Sequence, residues 1–244
     1  MARGRRPARR MSGWRMATMA AMAIISLLLL YQLWMFCMVV WYAYQPPGSS
    51  AVMRQELSRL RESDPDFKLK YEWVPYDRIS ESLKRAVVAS EDANFVEHDG
   101  VEWEAIRKAY EYNQRQEELG RARRRGGSTI TQQLAKNLFL SGSRTYLRKG
   151  QELVLTYMIE NVMPKQRILE LYLNVAEWGT GVFGAEAAAR HYYNTSANGL
   201  GAYQAAKLAA MLPNPRYYDK HRSTGYLNSR ASTISARMRQ AEIP

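Results

Sequence analysis

GGSTITQQLAKN, residues 126–137, opens with two glycines, continues through hydroxyls, and then crowds two amides, a lysine and an asparagine into six positions. Thr129 suits the N-cap of a helix, with Gln132 three residues later in the capping-box position. Beyond the cap, Gln132, Gln133, Lys136 and Asn137 fall at i, i+3 and i+4 spacings and share a polar face. Leu134 and Leu138 lie one turn apart on another face, available to a core. Gly126 and Gly127 permit backbone conformations that other residues resist. A glycine-rich loop, a positive helix N-terminus and an early lysine together have the character of an anion site. The G-x-x-x-x-G-K-[ST] spacing of a Walker loop is missing. From this stretch alone, an ordinary capped surface helix reads equally well.

The same helical period runs through most of the chain. ISESLKRAVVASEDANF (79–95) carries Ile79, Leu83, Ala86 and Val87 on one face, and VEWEAIRKAYEYNQRQEEL follows. Later come RKGQELVLTYMIENV, KQRILELYLNVAEW, GAEAAARHYY and GAYQAAKLAAML, the last stopped by Pro213 and Pro215. FKLKYEW (67–73) alternates as a half-buried strand does and is the only good strand signal. These patterns predict a mainly α fold, one domain of about 190 residues after an N-terminal appendage.

The appendage occupies residues 16–45, which hold no charged residue and are long enough to cross a bilayer as a helix. Arg3, Arg5, Arg6, Arg9, Arg10 and Arg15 precede it with no acid among them. The positive-inside rule keeps this tail, residues 1–15, in the cytoplasm and exports everything after Gln45. A cleaved signal peptide has a shorter apolar core and a small-residue cleavage site, for which WYAYQPP is a poor match. A retained anchor is therefore expected. Residues 46–73 form a linker and a membrane-proximal segment. In it, AVMRQELSRLRE spaces Val52, Leu57 and Leu60 as a basic amphipathic turn, to rest on a membrane or to pack on the domain.

The net charge is +12, and removing the six tail arginines leaves +6 for the exported part. Such a domain suits anionic lipid or a phosphate-bearing substrate, or is simply a solvated basic surface. Nucleic acid is excluded by compartment. Cys37 is the only cysteine and lies in the anchor, so the exported part has neither disulfide nor thiolate chemistry. His98, His191 and His221 are far apart, which argues against a structural zinc site.

Two further stretches carry chemistry. SEDANFVEHDG (90–100) sets Glu91 and Asp92 at the end of an apolar helix, beside Val87, Val88 and Phe95. A carboxylate desolvated there becomes a useful general base; a helix ending in solvated acids is the commoner case. RKGQE (148–152) puts Arg148 and Lys149 on one face with Glu152. It is either an intrahelical ion pair or a second carboxylate flanked by phosphate-binding cations. Ordinary glycoside hydrolysis needs an acid to protonate its leaving group. A pyrophosphate departs already anionic and needs cations instead. One glutamate base with surplus Lys and Arg fits the second chemistry.

From about Val74 onward the chain resembles the peptidoglycan glycosyltransferases of glycosyltransferase family 51, particularly the monofunctional, membrane-anchored members. Five blocks in order carry the resemblance: EDANFVEHDG, GGSTITQQLAKN, RKGQE, KQRILELYLNVAEWGTGVFG and AAKLAAMLPNP. The chain ends at Pro244 with no transpeptidase domain, hence the monofunctional reading. The resemblance implies a lysozyme-like helical lobe over residues 74–244, with a smaller membrane-associated jaw around Val101–Arg125. The RARRR run there either meets headgroups or is a loop. It also implies polymerisation of lipid II into β-1,4-linked glycan, with the growing strand as donor and incoming lipid II as acceptor. Undecaprenyl pyrophosphate leaves as C1 of MurNAc inverts.

On the matching positions, Glu91 is the general base for the acceptor hydroxyl, and Glu152 positions the acceptor or organises the phosphate region. Gln133, Lys136, Arg148 and Lys149 hold donor sugar and pyrophosphate, with Ser128, Thr129 and Asn137 beside them. Asp92, Phe95 and His98 support the base. Asn174, Glu177, Gly179, Gly181 and Gly184 form a turn that shapes the fold. No cofactor is obligatory and no dedicated metal cage can be read, although Mg or Mn assists at the pyrophosphate in some members. Partners are lipid II, the glycan strand, membrane lipid, and other cell-wall synthesis and division proteins. The setting is the bacterial inner membrane, with the catalytic domain periplasmic. The rivals are a lytic transglycosylase or muramidase, and an anchored protein that binds cell wall without catalysis.

Overall fold

A computed structural model describes residues 13–121, 126–140, 142 and 145–244. The tail through residue 12 and residues 122–125 of the RARRR run lie outside the described residues.

The chain folds as a long apolar helix followed by a mainly helical lobe. Helix α1 spans Gly13–Tyr44 and is long and apolar enough to cross a membrane. Helix α2 (Ala51–Arg61) starts at a Ser50 cap. Its buried ridge is Met53, Glu56 and Leu60 rather than the Val52, Leu57 and Leu60 stripe, and it packs on the domain against α5. Burial of Glu56 is made tolerable by Arg59, which grips both carboxylate oxygens at 2.8 and 2.6 Å, and by Arg216 at 2.8 Å.

Six helices follow: α3 (Glu81–Glu91), α4 (Trp103–Glu118), α5 (Ile130–Phe139), α6 (Tyr146–Val162), α7 (Lys165–Val175) and α8 (Ala185–Tyr193). The chain then forms α9 (Ala202–Met211), α10 (Pro215–Lys220) and α11 (Gly225–Arg237). Pro213 follows the Leu212 cap that ends α9, and Pro215 starts α10, since a proline is tolerated in a first helical turn. Helices α3, α9 and α11 pack together, and α5 packs on α2, α6 and α7. Trp178, Tyr172, Phe95 and Phe183 are the largest wholly buried side chains. Large apolar groups stay exposed along α4 (Trp103, Tyr110), within the stretch expected to form the jaw, and along α6 (Tyr146, Leu147, Val154, Tyr157).

The FKLKYEW strand shrinks to Lys70–Tyr71 (β1), and two strands that the alternation gives no sign of appear at Glu177–Gly179 (β2) and Val182–Phe183 (β3). They form a small sheet in the order β1-β3-β2, with β1 parallel to β3 through Lys70↔Val182 and Tyr71↔Phe183. Strands of two or three residues are too short to display a period of two. Asn174 ties this region down: its side chain donates to the carbonyls of Val74 and Glu170 and accepts from the Val74 amide.

Candidate active site

The site lies where the end of α3 meets the start of α5, with α6, α7 and α11 closing round it. Thr129 caps α5, its hydroxyl accepting from the Gln132 amide while Gln132 reaches back to the Thr129 amide. The Thr129 hydroxyl also donates to the Gly100 carbonyl at 2.6 Å, so the side chain is buried and fully used by the framework. Gln132 is buried in the same box, and Asn137 is buried further along. Of the polar face foreseen for α5, Gln133 and Lys136 are the two that stay partly accessible. Neither Gly126 nor Gly127 takes a positive φ. Gly127 is needed for close approach instead: a Cβ there would lie 2.9 Å from the Ile106 backbone of α4.

Asp92 staples α3 to α5. One carboxylate oxygen accepts from the Ile130 amide at 2.9 Å, the first turn of α5, and the other from His98 Nε2 at 2.9 Å. The Gly100 amide donates to His98 Nδ1, so the ring proton must sit on Nε2. Phe95 is wholly buried, edge-on to His98 and beneath Lys165. Asp92, His98 and Glu102 come close enough together to suggest a metal site. Their donor atoms are already occupied, Glu102 by Asn94 and the other two as described, so the cluster fits a hydrogen-bonded hinge better than a cage.

With the helices held this way, Glu91 faces Gln133. Gln133 Nε2 donates to Glu91 Oε2 at 3.0 Å. The Tyr172 hydroxyl donates to Gln133 Oε1 at 3.1 Å, which fixes the amide so that its NH₂ points at the carboxylate. Tyr172 is wholly buried, and burial holds its pKa well above the usual phenol value, so it remains a donor. On the other side Arg230 of α11 donates to Ser90 Oγ at 3.2 Å, and Ser90 Oγ donates to Glu91 Oε1 at 3.3 Å. An arginine has only donors, so Ser90 Oγ accepts from it, and the hydroxyl proton is shared between Glu91 and the Ala209 carbonyl at 3.5 Å. Burial pushes the Glu91 pKa up, opposed by the Gln133 bond, by Arg230, by the Ser90 bond and by Lys136.

A second cluster sits one turn along. Glu152 is buried in α6, with Arg148 Nη1 on one oxygen at 2.6 Å and Lys149 Nζ on the other. Lys149 also reaches Ser128 Oγ at 3.4 Å. Lys136 enters the same field from α5; burial lowers its pKa, the charge of Glu152 raises it, and Arg148 lowers it again. Arg148 and Lys149 thus pair with the buried Glu152, while Lys136 stands in the field of both Glu152 and Glu91, so basic groups outnumber carboxylates by three to two.

The structure brings Glu91, Gln133, Lys136, Arg148, Lys149, Glu152 and Ser128 together, and sets Thr129, Asp92, Phe95 and His98 in the framework around them. Ser90, Tyr172 and Arg230 were not foreseen. The signal for Arg230 is its place beside the Leu227, Ala231 and Ile234 stripe of α11, on the edge of a buried face.

A desolvated glutamate held by an amide and a hydroxyl, beside a cluster of cations in a helical lobe, is the equipment of an enzyme that moves glycosyl groups without an acid for the leaving group. Residues 57–239 match the transglycosylase family, and the chain belongs to it. It is 77% identical to a biosynthetic peptidoglycan transglycosylase of Bordetella pertussis (strain Tohama I), over 97% of this chain and 98% of that one. Similar proteins of the same description occur in Bordetella avium (strain 197N), 73% identical over 91% and 93%, and in Janthinobacterium sp. (strain Marseille), 58% identical over 90% and 94%.

Proposed function

We propose that the chain is a peptidoglycan glycosyltransferase that polymerises lipid II into β-1,4-linked glycan, with Glu91 as its base. The observation that carries this is the Glu91 carboxylate, partly desolvated and held at both oxygens, beside a cationic cluster with charge to spare. The Glu91 carboxylate takes the proton from the acceptor 4-hydroxyl as that oxygen bonds to C1 of the donor MurNAc. The bond from C1 to the phosphate oxygen breaks, and its electron pair leaves with undecaprenyl pyrophosphate. Attack opposite the leaving group inverts C1. Lys136, Arg148 and Lys149 neutralise the departing pyrophosphate, which is why no general acid is required. Glu152, held between two cations, is a positioning residue that aims Arg148 and Lys149.

A divalent Mg or Mn ion at the pyrophosphate would add to the same charge neutralisation. The arginine asymmetry about α1 supports a single pass through the bacterial inner membrane, N-terminus cytoplasmic and catalytic lobe periplasmic. Cell-wall synthesis and division proteins are the natural companions in that setting.

The test is polymerisation of labelled lipid II by the purified protein in detergent, with products resolved by length. Long glycan is expected. Shortening of preformed strands without polymerisation would mark a lytic enzyme instead. Lys136→Ala should raise the KM for donor about 10- to 100-fold, the worth of a charge-assisted contact; unchanged kinetics would remove Lys136 from the pyrophosphate site. Arg230→Met removes a cation that favours ionised Glu91, so the Glu91 pKa should rise further. The base works only when ionised, so the acid limb of kcat/KM against pH should move to higher pH, with the alkaline limb unmoved. An acid limb that stays in place would show that Arg230 acts on packing alone.

A further inference from the structure

Helix α1 is more than a tether. Gln32, Met35, Val39 and Tyr42 repeat at helical spacing along one side of it, and that side lies on the catalytic lobe. Met35 and Val39 belong to the same buried apolar cluster as the interior of the lobe. The Tyr42 ring meets Phe139 of α5 at 5.8 Å between centroids. Arg167 of α7 caps the far end, donating to the Tyr42 carbonyl at 3.0 and 2.9 Å and to the Gln45 carbonyl at 2.8 Å. A cation on the last carbonyls suits the negative end of a helix.

The deeper contact is polar. Gln32 Nε2 donates to Gln151 Oε1 at 2.7 Å, and Gln151 Nε2 donates back to Gln32 Oε1 at 3.1 Å. Gln32 precedes Tyr44 by twelve residues, about 18 Å of helix rise, so the pair lies well within the apolar run of α1. The two amides satisfy one another across the helix contact and so hold α1 and α6 in register. Gln151 is the neighbour of Glu152 in α6. Adjacent helical residues point about 100° apart, so clamping Gln151 against α1 sets the rotation that turns Glu152, Arg148 and Lys149 towards α5.

We propose that Gln32 is a positioning residue of the donor site. Through Gln151 it holds the first turns of α6, so that the anchor forms one wall of the enzyme. This rests on the assignment of Arg148 and Lys149 to the donor pyrophosphate, but its structural half is open to test without substrate.

The experiment uses the full chain in lipid nanodiscs, comparing wild type, Gln32→Met, Gln151→Met and the double variant. Methionine keeps the length and the apolar character that the site requires. Amide hydrogen exchange over residues 146–152 is expected to quicken about tenfold in each variant, with α9 and α11 unchanged. The KM for lipid II should rise about 3- to 10-fold with kcat within twofold, and the double variant should be no worse than either single one. Unchanged exchange in α6, or faster exchange spread evenly over the lobe, would overturn the proposal. Quickened exchange in α6 with an unchanged KM would overturn its link to the donor site. Wild type that fails to polymerise lipid II would instead count against the function proposed above, whatever the exchange shows.

Discussion

Glu91→Gln is expected to lower kcat for lipid II polymerisation by about 10² to 10⁴-fold, the usual loss when a positioned general base goes. The amide keeps the shape of the carboxylate and cannot take a proton. The same change should leave the fold intact or firmer. Burial raises the Glu91 pKa in the folded chain, so the native state holds that proton more tightly than the unfolded chain does. Its contribution is favourable below the unfolded pKa and is lost as pH rises through the folded one. The Gln variant, neutral throughout, should therefore gain on wild type in thermal midpoint as pH goes from acid to neutral. A parallel loss of activity and of midpoint would make Glu91 a structural acid, and the base would have to be sought elsewhere.

The second large effect belongs to Asp92, which never touches substrate in this account. Asp92→Ala removes the acceptor of two buried donors, the Ile130 amide and His98 Nε2. Leaving such groups unpaired costs about 2–5 kcal/mol, or about 5–15 °C in midpoint for a domain of this size. Because Asp92 joins the end of α3 to the start of α5, the distance between Glu91 and Gln133 should loosen as well, and kcat should fall even where the protein remains folded. Asp92→Asn retains one acceptor oxygen and should fall between wild type and alanine on both measures. Thermal unfolding and initial rates on the three proteins decide it. An Asp92→Ala protein with wild-type midpoint would mean that the staple carries no strain and that α5 is held by its Thr129 cap alone.

Local chemistry made some of this legible from residues alone. The Thr129 and Gln132 box, the apolar face of α3, the ion pairing within RKGQE and the long apolar anchor all depend on neighbours within one or two turns. What the chain hides is the meeting of distant segments. Nothing near Glu91 announces Arg230, which comes from the last long helix, or Tyr172, whose hydroxyl orients Gln133 from α7. The helical stripe of α2 was visible but its angle was not, because Glu56 is buried with the help of Arg216, which lies far away in sequence, as well as of Arg59 on its own helix. Gly127 shows the reverse error. Glycine suggested freedom, whereas α4 passing close to its backbone is the constraint. Of the sheet, β1 falls within the expected FKLKYEW strand, whereas β2 and β3 escaped notice because they are shorter than any period.

The arginine grip at Tyr42 and the amide pair at Gln32 have a geometrical consequence. Two fixings about ten residues apart leave the lobe no hinge at the bilayer, so turning the anchor about its own axis turns the site with it. In the function proposed above, a substrate held by its lipid and a site held by α1 would meet within one plane, and the bearing of the anchor would influence whether an encounter is productive. Crowding by neighbouring membrane proteins would restrict that bearing before it slowed diffusion, and catalysis would answer to the company the anchor keeps.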